Sequence, residues 1–252
     1  MSRIKHAFKD KAKVGYLTAG DGGIAKSVEY FMALANGGVN LLEVGIPYSD
    51  PVADGPVIQA AMERSLESGT TVATSLEIIK QIRAKSEVAI IAFTYFNPIC
   101  ANLYGFLTGL KEAGADGILI VDLPYEEAQD YYYYCELLNL APINVVSPST
   151  KLERMQKILA KLNSGFVYYA CQKGTTGARS GLPNDLPEQL ANIKKVTSLP
   201  IAVGFGVSNN QMVQEILQQS DGCVIGSHLV KQVGDNISCD ELTKLVRELF
   251  IG

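Results

Sequence analysis

The sequence predicts a closed (β/α)8 TIM barrel, and three observations carry that expectation. Apolar runs of strand length alternate eight times with helical patterns, without a linker or a break in composition. One barrel of this kind needs about 250 residues, and the chain has 252. Glycine-bearing turns gather after the last three strands, whereas an open doubly wound sheet, the runner-up, would put one glycine fingerprint after the first. The barrel is expected to occupy residues 1–252 as a single domain with an extra N-terminal helix.

Taken in order, Ser2 to Asp10 mixes apolar and basic residues at helical spacing and is expected to close the barrel bottom. Val14 to Thr18 is the first strand, followed by the loop Ala19 to Gly23 and a helix ending at Asn36, where Gly37-Gly38 supply a left-handed stop. Val39 to Val44 is the second strand. Helices then cover Val57 to Glu67 and Val72 to Ala84, split by Ser68-Gly69-Thr70. The third strand, Val88 to Thr94, is almost continuously apolar, as strands buried on both faces are. A helix after Pro98 runs to Ala113, and Gly117 to Val121 is the fourth strand. The next helix carries Tyr131 to Tyr134; four consecutive positions sweep roughly 300° of helix, so these rings cannot all be core. The remaining strands are Ile143 to Val146, Phe166 to Tyr169, Ile201 to Gly204 and Cys223 to Gly226, before a last helix from Asp240 to Phe250.

Composition narrows the function. A net charge of −4 argues against a nucleic-acid binder, and no apolar run is long enough to span a bilayer. The segment Met1 to Lys13 is charged, unlike a signal peptide. Five scattered cysteines fit reduced thiols in a cytoplasm. With only His6 and His228 as histidines, no metal site is expected.

Two features carry chemistry. Glu43 shares the parity of Val39 and Leu41, so a carboxylate stands where the pleat puts an apolar side chain. Burial there raises a carboxyl pKa toward the range useful for proton transfer. Asp54 follows in a proline-broken loop at the same strand end. Opposite in sequence, Gly174-Thr175-Thr176-Gly177, Gly204-Phe205-Gly206-Val207-Ser208 and Gly226-Ser227 follow three successive strands. Barrels bind phosphate with such loops, where backbone N–H groups and a helix N-terminus converge on the anion. Ser227 is placed to donate its hydroxyl, and His228 is left out of the site.

These residues also carry a resemblance. Leu42 to Pro56 (LEVGIPYSDPVADGP), Thr94-Tyr95-Phe96-Asn97-Pro98, Asp122-Leu123-Pro124, Gly174 to Arg179 and the two late glycine segments resemble the tryptophan synthase alpha subunit family along nearly the whole chain. The resemblance implies retro-aldol cleavage of indole-3-glycerol phosphate to indole and glyceraldehyde 3-phosphate. It also implies a beta subunit partner in an α2β2 complex, with pyridoxal phosphate in that subunit and no cofactor in this chain. It assigns Glu43 and Asp54 as catalytic carboxylates and Gly177, Gly206, Gly226 and Ser227 as the phosphate site. Tyr168 and Thr176 are implied as supports of the site, and Tyr16, Phe93 and Leu119 as the apolar indole slot, with barrel core the alternative for those three. Asp50, Pro51 and Asn97 are implied to face the beta subunit. Departures occur at Cys171-Gln172-Lys173, Thr175, Ser147 to Thr150 and Gly22. Two competing readings stay open: a class I aldolase with a Schiff base on Lys173, and a catalytically weak alpha subunit that mainly activates its partner.

Overall fold

The computed structural model describes residues 2–160, 162–171 and 182–251. Eight parallel strands pair in sequence order and close on themselves. They are β1 (Ala12–Thr18), β2 (Leu41–Gly45), β3 (Ala89–Thr94), β4 (Gly117–Ile120), β5 (Ala141–Val146), β6 (Val167–Ala170), β7 (Ile201–Gly204) and β8 (Gly222–Ile225). Helices α1 (Arg3–Ala7), α2 (Ile24–Asn36), α3 (Pro56–Glu67), α4 (Val72–Arg83), α5 (Asn97–Cys100) and α6 (Leu103–Glu112) cover the first half. The second half carries α7 (Gln129–Leu137), α8 (Leu152–Leu159), α9 (Leu186–Lys194), α10 (Asn210–Gln219), α11 (Ser227–Gly234) and α12 (Cys239–Phe250).

The inside of the barrel is filled by alternate residues of its strands. Val14, Leu41, Ile91, Leu119, Ile143, Ala202 and Val224 pack there, with Phe166 just ahead of β6. Below them α1 inserts Ile4 and Ala7, and the Phe8 ring meets Phe166 at 5.1 Å between centroids. The N-terminal segment therefore closes the barrel bottom as its sequence suggested, although its helix is shorter than Ser2 to Asp10. Ser2 caps it by accepting the Lys5 N–H.

Local chemistry accounts for the other shifted boundaries. β2 starts at Leu41 rather than Val39 because the Val39 N–H turns back to Leu34 O at 3.1 Å and Gly38 N–H to Ala35 O, with Gly38 at φ 107°. That pairing closes the α2 C-terminus and uses the donor a strand would need. The helix expected from Pro98 to Ala113 divides into α5 and α6 because Asn102 accepts the Gly105 N–H on its side chain at 3.0 Å, starting a new helix. In the tyrosine run, Tyr131 is buried and donates to Ile118 O at 2.8 Å, Tyr132 and Tyr134 are half-buried, and Tyr133 is 62% exposed.

Candidate active site

The register places Glu43 beside Tyr16 of β1 and Ile91 of β3, one inward position above Leu41. An apolar side chain buried there would contribute about 1.5–3 kcal/mol. Glu43 instead puts a carboxyl group that is 1% exposed, and its Oε1 has no hydrogen-bond partner among the described residues. Desolvation alone pushes its pKa from 4.5 to about 8. At neutral pH the resting side chain is therefore protonated, an acid aimed into the barrel.

Asp54 comes from the loop between β2 and α3. Its backbone N–H bonds Pro51 O at 3.0 Å, and its carbonyl accepts Gln59 Nε2 at 2.8 Å. The carboxyl is buried, and its Oδ2 accepts the Tyr95 hydroxyl at 2.7 Å. Burial raises its pKa from 3.8 to about 6, and the Tyr95 hydrogen bond works against that rise. The two carboxyls thus sit in opposite states near pH 7, Glu43 protonated and Asp54 ionised, the separation that acid–base work requires.

Two tyrosines adjoin them. The Tyr16 phenol is held un-ionised by burial first and by Asp54, Tyr95 and Glu43 after it; Tyr168 is held so by burial, then by Glu43 and Asp54. Each ring lies over a glycine of a neighbouring strand: a Cβ on Gly45 would overlap the Tyr16 hydroxyl, and one on Gly204 the Tyr168 hydroxyl. Those glycines open room for the rings inside the barrel. Tyr16 also meets Phe93 edge-on at 5.5 Å, and Phe93 is only half-buried. Leu119, by contrast, has no exposed surface and packs among the barrel fillers.

At the C-terminal ends of the last two strands, Gly206 lies in the loop after β7 and Gly226 in the turn from β8 into α11, both partly exposed. Helix α11 begins at Ser227 with no side-chain cap. Its first N–H groups are thus the ones a helix leaves for an anion. A Cβ at Gly226 would make only ordinary contact with Tyr16 Cβ, 3.6 Å away. If this turn holds an anion, Gly226→Ala is expected to leave the barrel folded but crowd that anion, raising KM for a phosphorylated ligand about tenfold with kcat changed less. Steady-state kinetics beside a melting curve check this; an unchanged KM would remove the turn from the phosphate site. Gly177, Thr176 and Lys173 lie outside the described residues.

Asp50 and Asn97 are exposed on the rim, Pro51 is partly so, and Val52 between them is 67% exposed. Tyr95, which sequence reading had only as part of a motif, proves to be the partner of Asp54. Residue pattern alone carries no sign of where its hydroxyl points. A cleft of about 1190 Å³ lies elsewhere, between α7 and the barrel bottom. Its guanidinium, Arg3, is already paired with Glu87 and Asp116, so the chemistry is better matched by the mouth.

Comparison with known proteins agrees with this geometry. The family described as tryptophan synthase alpha chain matches residues 2–249. The tryptophan synthase alpha chain of Coxiella burnetii (strain CbuK_Q154) is 50% identical over 250 residues, covering 99% of this chain and 97% of that one. That of Chlamydia caviae is 43% identical over 254 residues, covering 99% and 98%. Among solved structures, a Mycobacterium tuberculosis tryptophan synthase chain superposes with a TM-score of 0.90 at 34% identity, covering 98% of this chain and 95% of that one. A chain of the Pyrococcus furiosus tryptophan synthase α2β2 complex gives 0.88 at 36% identity, covering 96% and 98%. A barrel of this topology, matched from end to end, belongs to the tryptophan synthase alpha chain family, the lyases that release indole and glyceraldehyde 3-phosphate from indole-3-glycerol phosphate.

Proposed function

We propose that the lyase half-reaction of this chain runs on Glu43 and Asp54, with substrate phosphate held by Gly206, Gly226 and Ser227 and by Gly177, which lies outside the described residues. The observation that carries the assignment is Glu43, a buried carboxyl lacking a hydrogen-bond partner for Oε1 among the described residues, its pKa lifted to about 8. Such a group is costly in a barrel core and suited to giving and retaking one proton.

The steps follow from the charges. The Glu43 carboxyl protonates the indole ring at C3, and the positive charge that develops spreads to the ring N–H. Ionised Asp54 faces that charge and stabilises it. The Glu43 carboxylate then accepts the proton of the glycerol hydroxyl next to the breaking bond. The C–C electron pair returns to the ring, leaving neutral indole and an aldehyde, with Glu43 protonated again. Because the indole ring is itself the electron sink, the scheme asks for no cofactor in this chain. Tyr16 and Phe93 frame the ring slot, Leu119 packs among the barrel fillers, Tyr168 stands beside the two carboxylates, and Thr176, outside the described residues, is the proposed support of Asp54.

The chain acts with a tryptophan synthase beta chain, which holds the pyridoxal phosphate and receives the indole. Asp50, Pro51 and Asn97 form the rim toward it, in an α2β2 assembly like that named for the Pyrococcus furiosus complex. The 252 residues act as one barrel domain. Among the described residues no helix is long and apolar enough to cross a membrane. The five free thiols favour the cytoplasm as its place of work.

The test is indole release from indole-3-glycerol phosphate by the purified chain, with and without beta chain. Release alone, stimulated on mixing, is the expected result. No indole in either case, with beta-chain activity nonetheless rising on mixing, would replace catalysis by the activator role.

A further inference from the structure

Asp54 acts only if its carboxylate is held ionised and in place, and the residue that holds it stands on a different strand. Tyr95, directly after β3, has no exposed surface. Its hydroxyl donates to Asp54 Oδ2 at 2.7 Å and accepts the backbone N–H of Ala53 at 3.0 Å. One oxygen thus fixes both the side chain of Asp54 and the peptide leading into it. The Tyr95 ring in turn leans on Tyr48, 5.2 Å between centroids at 37°. Asn97 Nδ2 donates to the Tyr48 hydroxyl at 3.1 Å, and the Phe96 N–H donates to Asp122 Oδ1 at 2.7 Å. Both sides of the contact are therefore anchored, Tyr48 by the loop after β3 and that loop by the loop after β4.

We propose that Tyr95 is a positioning residue for Asp54 in the lyase reaction and that Tyr48 is the buttress that keeps Tyr95 there. The inference rests on the reading of Asp54 as a catalytic carboxylate. Among the described residues, the titratable groups facing this carboxylate are Tyr16 from β1 and Tyr168 from β6, both of which also face Glu43 of β2, and Tyr95 itself, which Asp122 also faces. Of these, the Tyr95 hydroxyl is the one bonded to Asp54, and that bond favours the ionised form. A hydroxyl lost to Asp54 is a charge-assisted hydrogen bond lost, an effect of about ten- to a hundredfold in rate.

The experiment uses the full chain. Tyr95→Phe keeps the buried ring and removes only the oxygen. It is expected to lower kcat about tenfold or more with KM nearly unchanged, and to move the acid limb of kcat/KM to higher pH. Tyr48→Leu, which withdraws the ring from Tyr95, is expected to move the limb the same way by less. A merely structural tyrosine would lower melting temperature without moving the limb. A second readout needs no turnover: carboxyl ¹³C titration of Asp54 in the Glu43→Gln background, with and without Tyr95→Phe, should show the Asp54 pKa rise when the hydroxyl goes. An unmoved Asp54 titration overturns the proposal, and so does a kcat of folded Tyr95→Phe within about twofold of the parent. If Asp54→Asn turns over normally, the failure lies with the catalytic reading of Asp54 and not with the hydrogen bond.

Discussion

Glu43→Gln is expected to abolish indole formation, by roughly three orders of magnitude or more, while making the folded chain more stable at neutral pH. The first effect follows from removing the group that both gives and retakes the proton. The second follows from linkage. The folded-state pKa of Glu43 is about 8 against 4.5 as the ordinary value. Below about pH 4.5 both states carry the proton, and burial of this carboxyl costs no ionisation. As pH rises from there toward 8 the unfolded chain ionises and the folded chain does not, so stability is progressively lost and then levels off. Glutamine escapes that loss, which amounts to roughly 2–4 kcal/mol near pH 7. Melting temperatures of the two proteins should nearly coincide at pH 4.5 and diverge by several degrees at pH 8, with the variant higher. A variant that keeps turnover would remove Glu43 from its role. One that melts lower at pH 8 would show that the carboxyl is satisfied in the barrel after all.

Asp54→Asn carries the second large effect, a fall in kcat of roughly a hundred- to a thousandfold, the usual cost of deleting a preorganised electrostatic partner of the transition state. The amide has nearly the shape of the carboxylate and can still accept the Tyr95 hydroxyl, so near-UV circular dichroism should be unchanged and KM affected little. Loss of rate with intact binding separates a charge that acts in the transition state from one that merely binds substrate. Turnover within tenfold of the parent would place the stabilising charge elsewhere.

The barrel was legible because its signals are redundant. Val88 to Thr94 reads as a doubly buried strand, and the real strand differs from it by one residue. Parity alone put Glu43 among Leu41 and its neighbours, and the register confirms that inward position. Boundaries failed where one polar or glycine residue diverted a backbone donor: Gly38 turned the Val39 N–H back onto α2, and Asn102 cut one helix into two. Site contacts between strands were hidden for a different reason. That Tyr95 reaches Asp54, 41 residues away in sequence, or that Tyr16 rests over Gly45, depends on how the closed barrel brings loop ends together. No periodicity encodes it. The Glu43 and Asp54 roles came from motif resemblance as well as pattern, and Leu119 shows the limit of pattern, since a slot residue and a barrel filler share one parity.

The alkaline limb of the pH–rate profile tests the central claim most directly. The substrate phosphate ionises with a second pKa near 6, close to the value of about 6 for Asp54, so the acid limb mixes two groups. Above neutrality Glu43 is the group of the proposed pair still carrying its proton. For indole-3-glycerol phosphate cleavage by the purified chain, kcat/KM should fall with a single proton near pH 8, as Glu43 loses the proton it must deliver. A kcat/KM that stays level or climbs through pH 9 in a folded enzyme would mean that the acid in this barrel is not Glu43.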